Sequence, residues 1–467
     1  MSRSLGLEAS DPGFPIRSVR HPPPKMPGEL LVKLIHSAVA LSVLSLASLP
    51  TGAAAQVPAE PTFADDIAPI FYDSCVTCHR PGEIAPMSLI SYQDARPWAR
   101  SIKTKVESRA MPPWHLDRQI GVQAFLNDPS LTDDQIATIS KWVDNGAPQG
   151  NPANTPTPPE FAPADAWQIG EPDLIVTFPT HTVPAAGPDL FGDLYTDFGL
   201  AEDRYITAIQ TKPVGDKARQ VVHHALSYAV EADEAGERMG QGTFLVEYAS
   251  GKQAEVYPAG SGMKLPADSE ARLSYHLHSI GEPTDAVVEL GIKFLPVGAE
   301  PEHIRYSKQL GGSHGNTIGV LDLPAGEVSR SDGYARFNKA ARITMFQPHM
   351  HMLGTYQCIE FIYPTQPVRA ETVNCASFDY NWHMNYNYTD QETPLIPAGT
   401  ILHVTSWLDN SATNRANLDP KNWVGAGQRT IDEMAFAWIG WYDLEDDEYE
   451  AAVAERQEMR ERTENDN

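Results

Sequence analysis

Three things are scarce in this chain: cysteine, positive charge and long apolar runs. Only four cysteines occur in 467 residues, and they fall into two pairs, Cys75 with Cys78 and Cys358 with Cys375. Against 61 acidic residues stand 35 lysines and arginines, a formal charge of -26. Such a field repels nucleic acid and anionic lipid, and leaves a cationic protein or a neutral molecule as the better partner. Beyond the first 55 residues no stretch is long and apolar enough to cross a bilayer. What is present is ample core material: 42% hydrophobic residues exclude a disordered or fibrous chain, and the length suits about three domains of ~150 residues.

Residues 26 to 55 have a sparse positive start, an apolar run from Leu34 to Leu49 and small residues at Ala53, Ala54 and Ala55. This is the layout of a secretory signal cut near Ala55, with a membrane anchor as the alternative. Residues 1 to 25 read as an unstructured extension or a start assigned too early. A periplasmic or secreted location follows, where disulfides persist.

Two textures follow. Residues 56–148 carry apolar positions at helical spacing in "SYQDARPWARSIKTKVESRA" and "LTDDQIATISKWVDNG", the latter with a start signal at Thr132 and a stop at Gly146. Residues 149–166 are rich in proline and read as a stiff linker. From 167 onward, short runs such as "DLIVTF", "RYITAIQT", "ARITMF", "CIEFIY" and "TILHVTSWL" alternate with Gly, Pro, Asn and Asp. They predict two all-β sandwiches, 167–300 and 301–445, preceded by a small all-α domain and followed by a charged tail, 446–467. Cys358 and Cys375 flank a turn whose centre lies midway between them, which predicts a cross-strand disulfide, with two buried thiols as the alternative.

The pair Cys75 and Cys78 stands in "CVTCHR", immediately before His79. One turn of chain brings two thiols to the haem edge and an imidazole to the iron, so a covalently attached haem c is expected; a redox dithiol would want a βαβ context that is missing. The segment resembles small c-type cytochromes. In "RAMPPWH", Met111 is the candidate sixth ligand, with Met87 and His115 as alternatives.

Histidines recur downstream in pairs. In "QPHMHMLG", His349 and His351 share one face of a strand and can chelate one ion. Met434, in "TIDEMAF", would make the set soft enough to favour Cu(I), although alone it reads as core filler. His223 and His224 in "VVHHALSY", with His276 and His278 in "YHLHSIG", form a second group. Adjacent histidines on a regular strand face opposite sides, so one ion requires a bend there. The competing reading is surface histidines at a strand end.

The order "VVHHALSY", "YHLHSIG", "FQPHMHMLG", "SFDYNWHMNY", "TIDEMAF" resembles the copper type II, ascorbate-dependent monooxygenases, the family of peptidylglycine α-hydroxylating and dopamine β-monooxygenase. The resemblance spans residues 167–445. It implies two sandwiches, each holding one copper across a solvent-filled cleft: an electron-storing ion on His223, His224 and His276, and an oxygen-binding ion on His349, His351 and Met434. His276 is preferred to His278 for its spacing to the following "VELGIKF" strand. His383 stands where relatives tend to carry Gln and reads as a strand residue, with cleft lining as the alternative; His403 reads as a satisfied core histidine. The animal enzymes are rich in disulfides and this chain is not, so their substrate pocket does not transfer.

The function implied is hydroxylation of an organic substrate by dioxygen. Electrons would come from an ascorbate-like reductant or a periplasmic redox protein through the fused haem. The alternative is a copper- and haem-binding protein that transfers electrons or handles copper without hydroxylating anything, and an oxidase making only peroxide is a third.

Overall fold

The computed structural model describes residues 57–467 except 84, 127, 164, 233–237, 239, 241, 250, 251, 253, 314–320 and 467, with the side chains of 313 and 464–466 also left aside. The expected signal, residues 26 to 55, lies outside them. Among the described residues no helix is long and apolar enough to cross a membrane.

β-Structure dominates, and the expected all-β character from residue 174 onward is found. Each of the alternating runs named above forms a strand, from Leu174–Thr177 to Ile401–Asp409. The architecture has one shared sheet rather than two separate pairs. Ten strands form a sheet whose main path runs Leu174–Thr177, Val288–Phe294, Arg204–Pro213, Ser261–Leu265, His303–Ser313, Ala435–Leu444, Ala340–Met350 and Tyr386–Asn387. The path crosses residue 301 through a parallel pairing of Ser261–Leu265 with His303–Ser313. A four-stranded sheet packs on each half. Leu190–Asp197, Ser269–Leu277, Val222–Glu231 and Thr243–Ala249 cover the first; Val328–Arg336, Ile401–Asp409, Gly354–Tyr363 and Arg369–Ser377 cover the second.

Burial follows from the period of two along each strand. Ile206, Ile209 and Ile292 of the shared sheet meet Ala225, Leu245 and Leu273 in the first core. In the second, Ile343, Phe346 and Ile439 meet Ile359, Phe361 and Leu402. The halves join through Phe244, which stacks on Trp438 at 3.8 Å between ring centroids. Cys358 and Cys375 lie opposite each other in an antiparallel pair and are joined in a disulfide.

Helices gather before the strands: Ala68–Ser74, Tyr92–Ala95, Ala99–Glu107 and Asp133–Asp144, around Phe63, Phe71, Ile102, Ile139 and Trp142. The start signal at Thr132 is a reciprocal cap with Gln135, and Gly146 beyond the helix end has φ +87°, a conformation glycine adopts without strain. Between the third and fourth of these helices the chain leaves the helical cluster. Leu116 and Phe125 bridge to Ala376 and Tyr388, and Trp114 packs edge-on to Tyr386 at 4.8 Å. This loop is thus part of the second sandwich's core. The charged tail forms a helix, Asp446–Asp466.

Candidate functional site

The first histidine group is assembled by the bend its sequence requires. In the pairing of Val222–Glu231 with Ser269–Leu277, Val222 faces Leu277 and His224 faces His276, leaving His223 as an extra residue. Such a bulge turns neighbouring side chains toward one side. His223, His224 and His276 each bring one ring nitrogen within 4.8 Å of the others. Asp189 binds the Nε2 of His276 at 2.7 Å, which frees Nδ1. That atom and the Nδ1 atoms of His223 and His224 are buried without hydrogen-bond partners. Buried orphan nitrogens carry a cost that an ion would relieve. His278 stands at the margin, its ring 6.4 Å from that of His223.

The second group is built by register. His349 pairs with Phe436 and Met350 with Ala435, so one step further the same register sets Met434 beside His351. Residues separated by more than eighty positions thereby share a face. His351 places its Nδ1 2.9 Å from the carbonyl of Asp432, while His349 stacks on Phe436 and keeps a buried, unpartnered Nδ1. The Glu433 carboxylate accepts the backbone N–H of His351 at 2.9 Å and of Leu353 at 2.6 Å, which pins the turn behind the histidines. Burial raises this carboxyl to about 8, opposed by its N–H donors.

His383 does not lie in a strand. It sits in the turn before Tyr386–Asn387, 2% exposed, with both ring nitrogens unpartnered. Its ring lies 6.1 Å from that of His224 and 5.2 Å from that of His349. One imidazole therefore stands between the two groups where a solvent-filled cleft was expected. The cavity they share, lined by His224, His349, His351, His383 and Met434, measures about 140 Å³. His403 is not a core residue: it is half-buried, bonded to Asp332 at 2.7 Å and stacked on Tyr334.

Burial holds these imidazoles neutral. It lowers His223 and His351 to about 4 and puts His224 and His349 well below the usual value, with neighbouring histidines adding to the effect. It also lowers His276, against the pull of Asp189, and His383, against that of Glu247. Neutral imidazole is the form that ligates metal.

Cys75, Cys78 and His79 follow the helix Ala68–Ser74 in a hydrogen-bonded turn. His79 places Nδ1 3.2 Å from the carbonyl of Met87, which orients the ring and leaves Nε2 for a ligand. Burial pushes the Cys75 thiol up to about 12, with Cys78 adding, and raises Cys78 too. That is the reverse of the lowered value a redox-active thiolate needs. A cavity of about 740 Å³ has Cys78 and Arg80 on one side and His223, Glu247, Lys252 and His278 on the other. Met111 lies elsewhere, in a cavity of about 380 Å³ with Val106, His115, Leu131 and Ile136 that includes none of Cys75, Cys78 and His79.

Asp189, Glu247 and Glu433 were not singled out from the sequence. Only Glu433, inside "DEM", stood beside a motif that could have drawn attention to it.

No protein-family model and no curated protein matches the chain. Among solved structures, the cowpea mosaic virus top component is similar at 9% identity over 61% of this chain and 94% of its own, with a TM-score of 0.30. PNGase F, a glycosylasparaginase from Flavobacterium meningosepticum, is similar at 12% identity over 58% of this chain and 96% of its own, with a TM-score of 0.25. Likenesses this distant carry no argument about this chain.

Proposed function

We propose that the protein is a secreted or periplasmic copper-dependent monooxygenase that receives electrons through a covalently attached haem c. The observation that carries this reading is the gathering of two imidazole sets, one with Met434, around a cavity of about 140 Å³ lined by His224 of the first set and by His349, His351 and Met434 of the second, beside a larger cavity lined by both Cys78 and His223. His223, His224 and His276 would hold one copper; His349, His351 and Met434 would hold the other, the thioether favouring the reduced ion. Haem would be attached at Cys75 and Cys78 with His79 as axial ligand, and its sixth position is assigned to no residue. Bound copper would supply the oxygen and electron chemistry of hydroxylation. The chain's own residues do the rest. Asp189 fixes which nitrogen of His276 is free, and the carbonyl of Asp432 orients the ring of His351. Glu433 holds the turn that aims His351 and Met434, and Phe436 with Trp438 keeps water from the pair.

One observation favours a second reading. A cavity of about 140 Å³ admits a few waters or dioxygen, whereas pockets for organic molecules run to roughly 300 to 1,000 Å³. In this arrangement the centre suits electron transfer or copper handling, and hydroxylation requires the two halves to part around His383.

The deciding experiment measures copper per haem in the purified protein, then mixes the reduced protein rapidly with oxygen. Two coppers per haem, and haem reoxidation slowed in Met434→Ala, support the monooxygenase. One copper or none, or reoxidation indifferent to Met434, removes it.

A further inference from the structure

Two histidine sets account for six ligands and leave His383 and Glu247 unused, although both are almost wholly buried. Glu247 lies on the strand Thr243–Ala249 of the first half. Its Oε2 accepts from Gln347 Nε2 at 2.7 Å and stands 3.5 Å from the Lys252 ammonium. Lys252 is itself shared with Glu255, 3.5 Å away. The other oxygen, Oε1, has no partner; it is turned toward His383, 3.7 Å from Nδ1. On the same spot His383 leaves both ring nitrogens unpartnered and His349 leaves Nδ1 so. One ligand atom from each of Glu247, His349 and His383 lies within 4.8 Å of the others.

A buried carboxylate oxygen and buried imidazole nitrogens without partners are costly and rare. Gathered from three separate segments, they share one remedy, a cation. We propose that Glu247, His349 and His383 form a metal site distinct in composition from both histidine sets, taking a divalent transition-metal ion such as zinc.

Two imidazoles and one carboxylate make a harder donor set than two imidazoles and a thioether, so the site selects M(II) where the Met434 set selects Cu(I). It shares His349 with that set but does not depend on the copper reading. Because Glu247 comes from the first half and His349 and His383 from the second, the ion clasps the two halves across the cavity. For a four-coordinate ion the ligand atoms need to stand about 3.4 Å apart, so binding draws them together from the 4.8 Å within which they lie. The shared His349 further implies that zinc and Cu(I) compete at this end of the cavity.

The test is zinc binding to the full haem-loaded protein stripped of metal, followed by equilibrium dialysis and elemental analysis. It compares wild type, Glu247→Gln, His383→Gln and Met434→Ala. Glu247→Gln and His383→Gln are expected to lose one zinc equivalent, or to weaken it beyond the roughly 10- to 100-fold that an outer-shell partner is worth. Met434→Ala is expected to keep wild-type zinc while losing Cu(I). Zinc should raise the thermal midpoint of His383→Gln less than that of wild type, since the variant keeps only the three-imidazole set, and this second variant keeps the test valid if Glu247→Gln folds poorly. Unchanged zinc number and affinity in His383→Gln overturns the site. That outcome is independent of the copper reading, which stands or falls on Cu(I) and haem reoxidation in Met434→Ala.

Discussion

Metal-free protein should lose stability steeply as pH falls from 6.5 to 5, because the folded state keeps its histidines neutral. His223 and His351 titrate near 4 in the fold, and His224 and His349 lower still, against about 6.5 in an unfolded chain. The folded values lie below the unfolded one, so the unfolded chain binds the protons. Stability is then complete above about 6.5 and drains away as pH falls toward the folded values. Over this interval each such histidine contributes a loss of at most about 2 kcal/mol, and the four together several kcal/mol. Glu433 works the other way, since its carboxyl is raised to about 8 and its unfavourable ionisation is relieved as pH drops; it offsets about 2 kcal/mol. The net fall is on the order of 4 kcal/mol, comparable to the whole stability of a small domain.

Urea unfolding followed by tryptophan fluorescence, at pH 8, 6.5, 5.75 and 5, measures this directly. The midpoint should hold between the higher two pH values better than between the lower two. His349→Gln should flatten the slope by about a quarter of the histidine contribution. Copper loading should raise the midpoint at each of these pH values while leaving the slope, since the folded histidines already carry no proton there. A midpoint that does not change between pH 6.5 and 5 in the metal-free protein would refute the burial argument, and with it the claim that these imidazoles wait neutral for metal.

Other outcomes follow from single contacts. Replacing Cys358 and Cys375 by serine opens a crosslink spanning 17 residues and should cost about 3 kcal/mol, read as a lower urea midpoint with copper content unchanged. Asp189→Asn keeps the hydrogen bond to His276 but removes its charge, and should weaken copper at the first set by about 10- to 100-fold while leaving the Met434 set intact. Phe244→Ala removes the ring that stacks on Trp438 and should cost about 3 to 5 kcal/mol, seen in thermal melts as earlier and less cooperative unfolding. Trp114→Ala should destabilise the second sandwich rather than the helical cluster, since the ring packs on Tyr386 and Phe125; hydrogen exchange resolves which strands lose protection.

What could be read in advance was what local spacing controls. Alternation located the strands, the Thr132 and Gly146 signals bounded a helix, and the mid-turn position of "PTQPVR" set Cys358 opposite Cys375. The need for a bend at His223 and His224 also followed from strand geometry alone, and the bulge supplies it. What escaped was set by pairings between distant segments. No local pattern says that Ser261–Leu265 runs parallel to His303–Ser313, yet that pairing makes one sheet of two halves and brings Glu247 to His383. Nor does the helical spacing before residue 148 reveal that 112–126 leaves the helices to cover the second sandwich, because Trp114, Leu116 and Phe125 look the same in either core. The strand reading of His383 fails for a related reason, while its cleft-lining alternative fits a residue that lines the cavity with His349 and Met434. A histidine between aromatic residues reads as strand, and its approach to Glu247 and His349 is set by long-range packing that no local pattern shows. The candidate site residues are thus most legible where they are neighbours in sequence, as at Cys75, Cys78 and His79. They are least legible where the two halves meet, because there Glu247, His349 and His383 come together from separate segments.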